Sequence, residues 1–271
     1  MRIADKCARV LLVAASMAAL GACSDGPDPD ETVDIDQTKV ALEVILFDMA
    51  DGGSESDQTA FDLRVQDIVK EQPGFIKRVV AYGRKEPLSP TDTASRRFLI
   101  TVYWDSLEHA NDAAKVLSAD PIAAEPRPGV TPLGGAPYLY AHYVIGDSTK
   151  AGSEVPADAL FDHEGLALEV VAFDIADGAS VPDLLAADMN MDKTLISRQP
   201  GYLKRVTAVG KNELTQAPQY FITVFWESLD DAMAAGEAVA ADPGGQAIFP
   251  FAKPGGMFTY DHFYDDLKMV K

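Results

Sequence analysis

The chain has 271 residues, 42 of them acidic and 23 basic, for a formal net charge of −19 at pH 7. A surface of that sign repels nucleic-acid phosphates and anionic headgroups, so no nucleic-acid partner is expected. The two cysteines, Cys7 and Cys23, both lie near the start, so the body of the chain has no thiols for a disulfide or a thiolate metal site and must be held by burial.

Residues 1–22 read as an export signal: Arg2, Lys6 and Arg9 precede an apolar run from Val10 to Leu20, which is too short for an ordinary membrane span. The run ends in Leu20-Gly21-Ala22-Cys23, which resembles the bacterial lipobox. That resemblance implies cleavage before Cys23, lipidation of its thiol, and a protein tethered to the cell envelope. Ser24 after the cysteine implies sorting to the outer membrane. Loss of three basic residues and one acidic residue would take the net charge to −21, so the acyl chains would provide the membrane attachment. Residues 23–39 are acidic and rich in Pro and Gly, and read as a solvated tether.

From residue 40 the order is strand, helix, strand, strand, helix, strand. Ala41–Phe47 is a short apolar strand. Asp57–Glu71 carries Phe61, Val65 and Ile68 at helical spacing and stops at Gln72-Pro73-Gly74, because proline cannot continue a helix and glycine permits the reversal. Strands follow at Phe75–Tyr82 and Phe98–Trp104. Ser106 is placed to cap a second helix ending at Asp120-Pro121, and Tyr138–Ile145 is the last strand. Residues 146–165 are polar and read as a linker.

The whole pattern then recurs. ALEVILFDMADG at 41–52 returns as ALEVVAFDIADG at 167–178, QPGFIKRV at 72–79 as QPGYLKRV at 199–206, and ITVYWDSL at 100–107 as ITVFWESL at 222–229. The expected elements are Ala167–Phe173, Val181–Arg198, Tyr202–Val209, Phe221–Trp226, a helix capped by Ser228 and ending at Asp242-Pro243, and Phe258–Tyr264. A repeat of about 100 residues is a domain duplication, giving units at 40–145 and 166–265. The βαββαβ order predicts an α+β protein made of two ferredoxin-like units. Strand three is apolar on both faces, since Leu99 and Tyr103 alternate with Ile100, Val102 and Trp104. Each sheet therefore needs a second apolar partner, and the other unit supplies it. The chain is expected to be a monomer that forms an intrachain pseudo-dimeric α/β barrel.

Pro-Gly-aromatic after the first helix and Trp-Glu/Asp-Ser after the third strand occur in both copies: Pro73-Gly74-Phe75 with Trp104-Asp105-Ser106, and Pro200-Gly201-Tyr202 with Trp226-Glu227-Ser228. In these marks each unit resembles the antibiotic biosynthesis monooxygenase domain of the dimeric α/β-barrel superfamily, over essentially all of residues 40–265. The resemblance implies that fold and, among other activities, cofactor-independent oxygenation. The oxygenases of that family pair the strand tryptophan with an asparagine four residues earlier, where this chain has Ile100 and Ile222, which cannot donate a hydrogen bond to a developing oxyanion. The haem-degrading relatives have a tryptophan and a histidine on or beyond the second helix, where Ala113, Ala235, Ala123 and Gly245 stand instead. No cofactor is implied, and no histidine or carboxylate cluster has metal-ligand spacing.

One polar set recurs. Glu43 and Glu169 interrupt the first strands, while Tyr140 and His142, and Tyr260 and His262, mark the last. Strands one and four are neighbours in this topology, so each glutamate can reach the histidine of its own unit. A carboxylate–imidazole pair in an apolar cleft could act as a general base; a histidine satisfied at a strand end is the plainer reading. Trp104 and Trp226 are either core aromatics or, with the two tyrosines, walls of a substrate pocket. Lys77-Arg78 and Lys204-Arg205 read either as a grip for an anionic ligand or, more plainly, as rim charges that are solvated or paired with surface carboxylates. The leading functional expectation is binding of a small apolar or aromatic molecule. The alternatives are a cofactor-independent monooxygenase or isomerase in the same cleft, and a structural or partner-binding module without catalysis.

Overall fold

The computed structural model describes residues 40–86, 95–130, 137–150 and 166–270. The leader, Cys23 and the tether lie outside the described residues, as do residues 151–165 of the segment read as a linker.

The first unit comprises β1 (Ala41–Asp48), α1 (Glu55–Val69), β2 (Phe75–Lys85), β3 (Arg96–Trp104), α2 (Leu107–Ala119) and β4 (Leu139–Lys150). The second comprises β5 (Ala167–Asp174), α3 (Val181–Thr194), β6 (Tyr202–Asn212), β7 (Pro218–Trp226), α4 (Leu229–Ala241) and β8 (Phe258–Val270). Ser106 and Ser228 do cap α2 and α4, accepting from the backbone N–H of His109 and Asp231 at 3.2 and 3.1 Å. Gly74 and Gly201 take φ of +78° and +74°, the left-handed turn that the Gln-Pro-Gly sequence requires.

The eight strands close into one barrel in the order β1-β3-β2-β8-β5-β7-β6-β4. All neighbours are antiparallel. Two cross-unit seams close it, β2 on β8 and β4 on β6. This explains why the last strands outrun their expected ends. β4 continues five residues past Ile145 into the segment read as linker, and β8 continues to Val270, because their ladders lie on the partner unit's second strand rather than on their own sheet. Gly83 and Gly210 sit at these seams, where any Cβ would run into the backbone carbonyl of His262 or His142.

Side chains alternate across the wall except at bulges such as those after Phe75 and Tyr202. Leu42, Val44, Leu99, Tyr103 and their counterparts Leu168, Val170, Phe221 and Phe225 fill the barrel, forming a single core shared by both units. The outward residues pack under the helices as two separate cores, around Phe47, Ile100 and Trp104 in one unit and Phe173, Ile222 and Trp226 in the other. The site is built on these outer faces.

Candidate functional site

Glu43 stands opposite His142 in the β1–β4 ladder, and Glu169 opposite His262 in the β5–β8 ladder, so each pair shares the outer, helix-covered face. In the first unit His142 Nε2 is 3.9 Å from Glu43 Oε1, a charge contact too long for a hydrogen bond. The other oxygen of each glutamate accepts from the tryptophan indole: Trp104 Nε1 to Glu43 at 3.2 Å, and Trp226 Nε1 to Glu169 at 2.9 Å. Burial, reinforced by the charge of the same two glutamates, holds the phenols of Tyr140 and Tyr260 above their usual pKa. Their rings meet the histidine rings edge-on, with centroids 5.3 and 5.1 Å apart. The structure thus brings together Glu43, Trp104, Tyr140 and His142, and likewise Glu169, Trp226, Tyr260 and His262.

The hydrogen bond from each histidine crosses to the other unit. His142 Nδ1 donates to Glu213 at 3.1 Å, and His262 Nδ1 to Glu86 at 3.1 Å. Burial works to raise the pKa of Glu86, but hydrogen bonds from His262 and Arg84 outweigh it and hold the carboxyl below its usual range. The hydrogen bond from His142 does the same for Glu213. The sequence reading missed both residues. Their signal was the repeat itself, since Gly-Arg-Lys-Glu at 83–86 matches Gly-Lys-Asn-Glu at 210–213. Among the described residues, neither His142 Nε2 nor His262 Nε2 has a hydrogen-bond partner.

The reading of Lys77-Arg78 and Lys204-Arg205 as rim charges requires correction for both arginines and for Lys204, all of which are buried. Arg78 and Arg205 are 1 % and 2 % exposed. They lie on the outer face of β2 and β6 beneath α1 and α3, where Arg78 makes a two-point ion pair with Asp62 at 2.5 and 2.6 Å, and Arg205 pairs with Asp188. Lys77 Nζ lies 4.2 Å from the centre of the Tyr103 ring at the barrel core. Burial drives this pairing, because an arginine under a helix without a carboxylate would be a desolvated, unpaired charge.

A cavity of about 220 Å³ lies between the second unit's sheet and its helices. Val171, Ile222, Val224, Met191 and Ile248 make it largely apolar. Glu169, Trp226 and Tyr260 form its polar end, Arg205 reaches one wall, and His262 does not line it. Burial raises the pKa of Glu169; His262, the indole of Trp226, Arg205 and Tyr260 each oppose the rise without cancelling it. The cavity therefore offers a desolvated carboxyl and a phenol at the end of an apolar chamber, a set able to orient a neutral ligand through one or two hydrogen bonds. α4 leaves room at Gly236, where a Cβ would meet the hydroxyl of Tyr260. Among the described residues no group of three or more metal-ligating side chains gathers.

No protein-family model and no curated protein matches the chain. Among solved structures it is similar to an anthrone oxidase-like protein, with 11 % identity, a TM-score of 0.55, and 86 % of this chain and 93 % of that chain covered. It is also similar to a monooxygenase-like protein of Fusobacterium nucleatum subsp. nucleatum (10 % identity, TM-score 0.49, 86 % and 95 % covered) and to the encapsulated DyP-type peroxidase of Mycobacterium smegmatis (9 %, 0.48, 89 % and 96 %). At such identities the likeness is one of fold: the chain has the architecture of the dimeric α+β barrel proteins, built here from one polypeptide.

Proposed function

We propose that the protein binds one small, uncharged, largely apolar or aromatic molecule in the cavity of its second unit. The observation that carries this reading is the cavity itself: an apolar chamber between sheet and helices whose few polar groups, Glu169, Tyr260 and the Trp226 indole, converge at one end. About 220 Å³ is below the roughly 300–1,000 Å³ of pockets for drug-sized ligands and suits a molecule of one or two rings. Arg205 does not make it an anion site, because Asp188 already neutralises that charge.

A second reading, cofactor-independent oxygenation or isomerisation, draws on Glu169, a carboxyl with raised pKa placed to take a proton from a bound ligand. Ile222 weighs against it. It lines the chamber where the oxygenases that the sequence resembles would place an asparagine, so the wall offers no donor there for a developing oxyanion.

The test is recovery of small molecules from natively expressed protein by mass spectrometry, alongside a variant with the chamber filled, Val239→Trp. The natural protein should yield a bound organic molecule and the variant should lose it, with the thermal midpoints within a few degrees. A natural protein that carries nothing and gains no thermal stability from a panel of neutral one- and two-ring compounds would sink the reading.

We further propose, from the leader and Leu20-Gly21-Ala22-Cys23, that this barrel is held at the cell envelope by lipid on Cys23, on the outer membrane. Cys23→Ala should move the protein from the membrane fraction to the soluble fraction, and an unacylated natural N-terminus would refute the anchor.

A further inference from the structure

The two units are copies, yet they differ where the cavity lies. Ala252 bridges to Ile175 in the second unit as Val130 bridges to Met49 in the first, which fixes the correspondence of the loops after α4 and α2. Phe249, a wall of the cavity, therefore corresponds to Arg127.

Arg127 points into its own unit. Its side chain is 14 % exposed, and its guanidinium lies 4.8 Å from the centre of the Phe47 ring and 5.0 Å from that of Phe61. Nη1 is 3.5 Å from Asp62, and the group is near enough to Glu43 and Arg78 to feel both charges. Glu43 and Arg78 correspond to Glu169 and Arg205, two residues of the cavity wall. With its amide turned to satisfy both neighbours, Gln58 accepts from Arg127 Nη1 at 3.0 Å and donates to the carbonyl of Pro128 at 2.9 Å. The guanidinium thus sits among the first unit's versions of the groups that surround the chamber in the second.

Three independent differences point the same way. Phe61 corresponds to Ala187, so the first unit has a phenyl ring where the second has a methyl. Ala114 and Ala123 correspond to Gly236 and Gly245 of the cavity wall. Arg64 on α1 grips Glu125 in the loop through two contacts of 2.5 and 3.3 Å, whereas the matching pair in the second unit is Asn190 and Ala247, which cannot form an ion pair.

We propose that the chain carries one ligand site rather than two, and that Arg127, backed by Phe61 and latched by Arg64–Glu125, is the plug that closes the first unit. This rests on the reading of the second unit's chamber as a ligand site. The plug compensates its own burial, since the Asp62 carboxylate lies 3.5 Å from the guanidinium, Gln58 accepts a hydrogen bond from it and two aromatic rings flank it. The first unit then serves as a filled lobe that completes the barrel.

The experiment counts bound 1-naphthol, a neutral two-ring probe, per chain by equilibrium titration of the whole protein. Reciprocal exchanges accompany it. Ala187→Phe with Phe249→Arg gives the second unit the plug, and Asp188 stands ready to receive the arginine. Phe61→Ala with Arg127→Phe removes the plug from the first unit while keeping the Arg78–Asp62 pair. The expected counts are one for the natural protein, none for the plugged variant and two for the opened one. A count of two in the natural protein, or a count of one that survives plugging of the second unit, overturns the inference while leaving ligand binding intact. No binding to the natural protein overturns the ligand-site reading and this inference with it. Each variant is checked by thermal unfolding; should one not fold, the natural count and the other variant still decide.

Discussion

Arg78 and Arg205 occupy matching places, but their environments predict different costs of removal. Asp62 has a second cation, Arg127 at 3.5 Å, whereas among the described residues the charge facing Asp188 is Arg205. Arg205→Met leaves a fully buried carboxylate without its counter-ion and should destabilise by about 3 to 5 kcal/mol, the range for breaking a buried pair. Arg78→Met should cost clearly less. Urea unfolding of the two variants checks the order, and equal losses would show that Arg127 does not compensate. At this scale the sequence was only partly legible. Glu43, His142, Glu169 and His262 stood out because they interrupt apolar strands. The burial of the arginines did not, because a strand charge shows no destination until the acid on the covering helix is known. The clue was Asp62 and Asp188, recurring in the two helices at corresponding places.

At the scale of elements, the seams between units are joined by carboxylates as well as by backbone ladders. Glu213 on His142 and Glu86 on His262 have folded pKa values below the ordinary 4.5. Their contribution is therefore fully present above about pH 4.5 and is lost as pH falls through the lowered values. Glu169 and Asp261 have the opposite sign. Burial raises Asp261 from 3.8 to about 6 even though Arg97 and Thr259 donate to it at 2.8 and 2.5 Å, so its ionisation costs stability as pH rises through that window. Glu86→Gln with Glu213→Gln should lower stability at pH 7 by about 1 to 3 kcal/mol in total, with Glu213 giving the smaller share because it is partly exposed. The same change should flatten the acid limb below pH 4.5. Unfolding midpoints from pH 7 to pH 3 measure this, and an unaltered acid limb would show that the seams do not depend on these carboxylates. The pairing of strands one and four followed from the βαββαβ order, which is why Glu43 and His142 were expected as neighbours. The donors' true partners lay across the seam, and a reading confined to one unit could not reach them.

At the scale of the molecule, the closed barrel follows from strands that are apolar on both faces, a property legible in the sequence from Leu99 to Trp104. Neither half can close alone, since each sheet ends at a seam whose partner lies in the other half. Residues 40–150 and 166–271 expressed together as separate chains should co-purify as a 1:1 complex, and either half alone should self-associate or aggregate. A half that is monomeric and as stable as the whole would contradict the shared core. The plug and the cavity, in contrast, were not legible. They arise in the loops after α2 and α4, outside the three matched blocks, where Arg127 and Phe249 do not look like alternatives until the Val130 and Ala252 bridges align them.

Carrying two similar units in one chain has a consequence for how such a barrel can change. In a twofold assembly of identical subunits every residue is encoded once and expressed twice, so a substitution that fills one chamber fills both. Here Arg127 and Phe249 are separate codons. Symmetry is not imposed by a shared coding sequence, and one lobe can be specialised for rigidity while the other keeps an open interior.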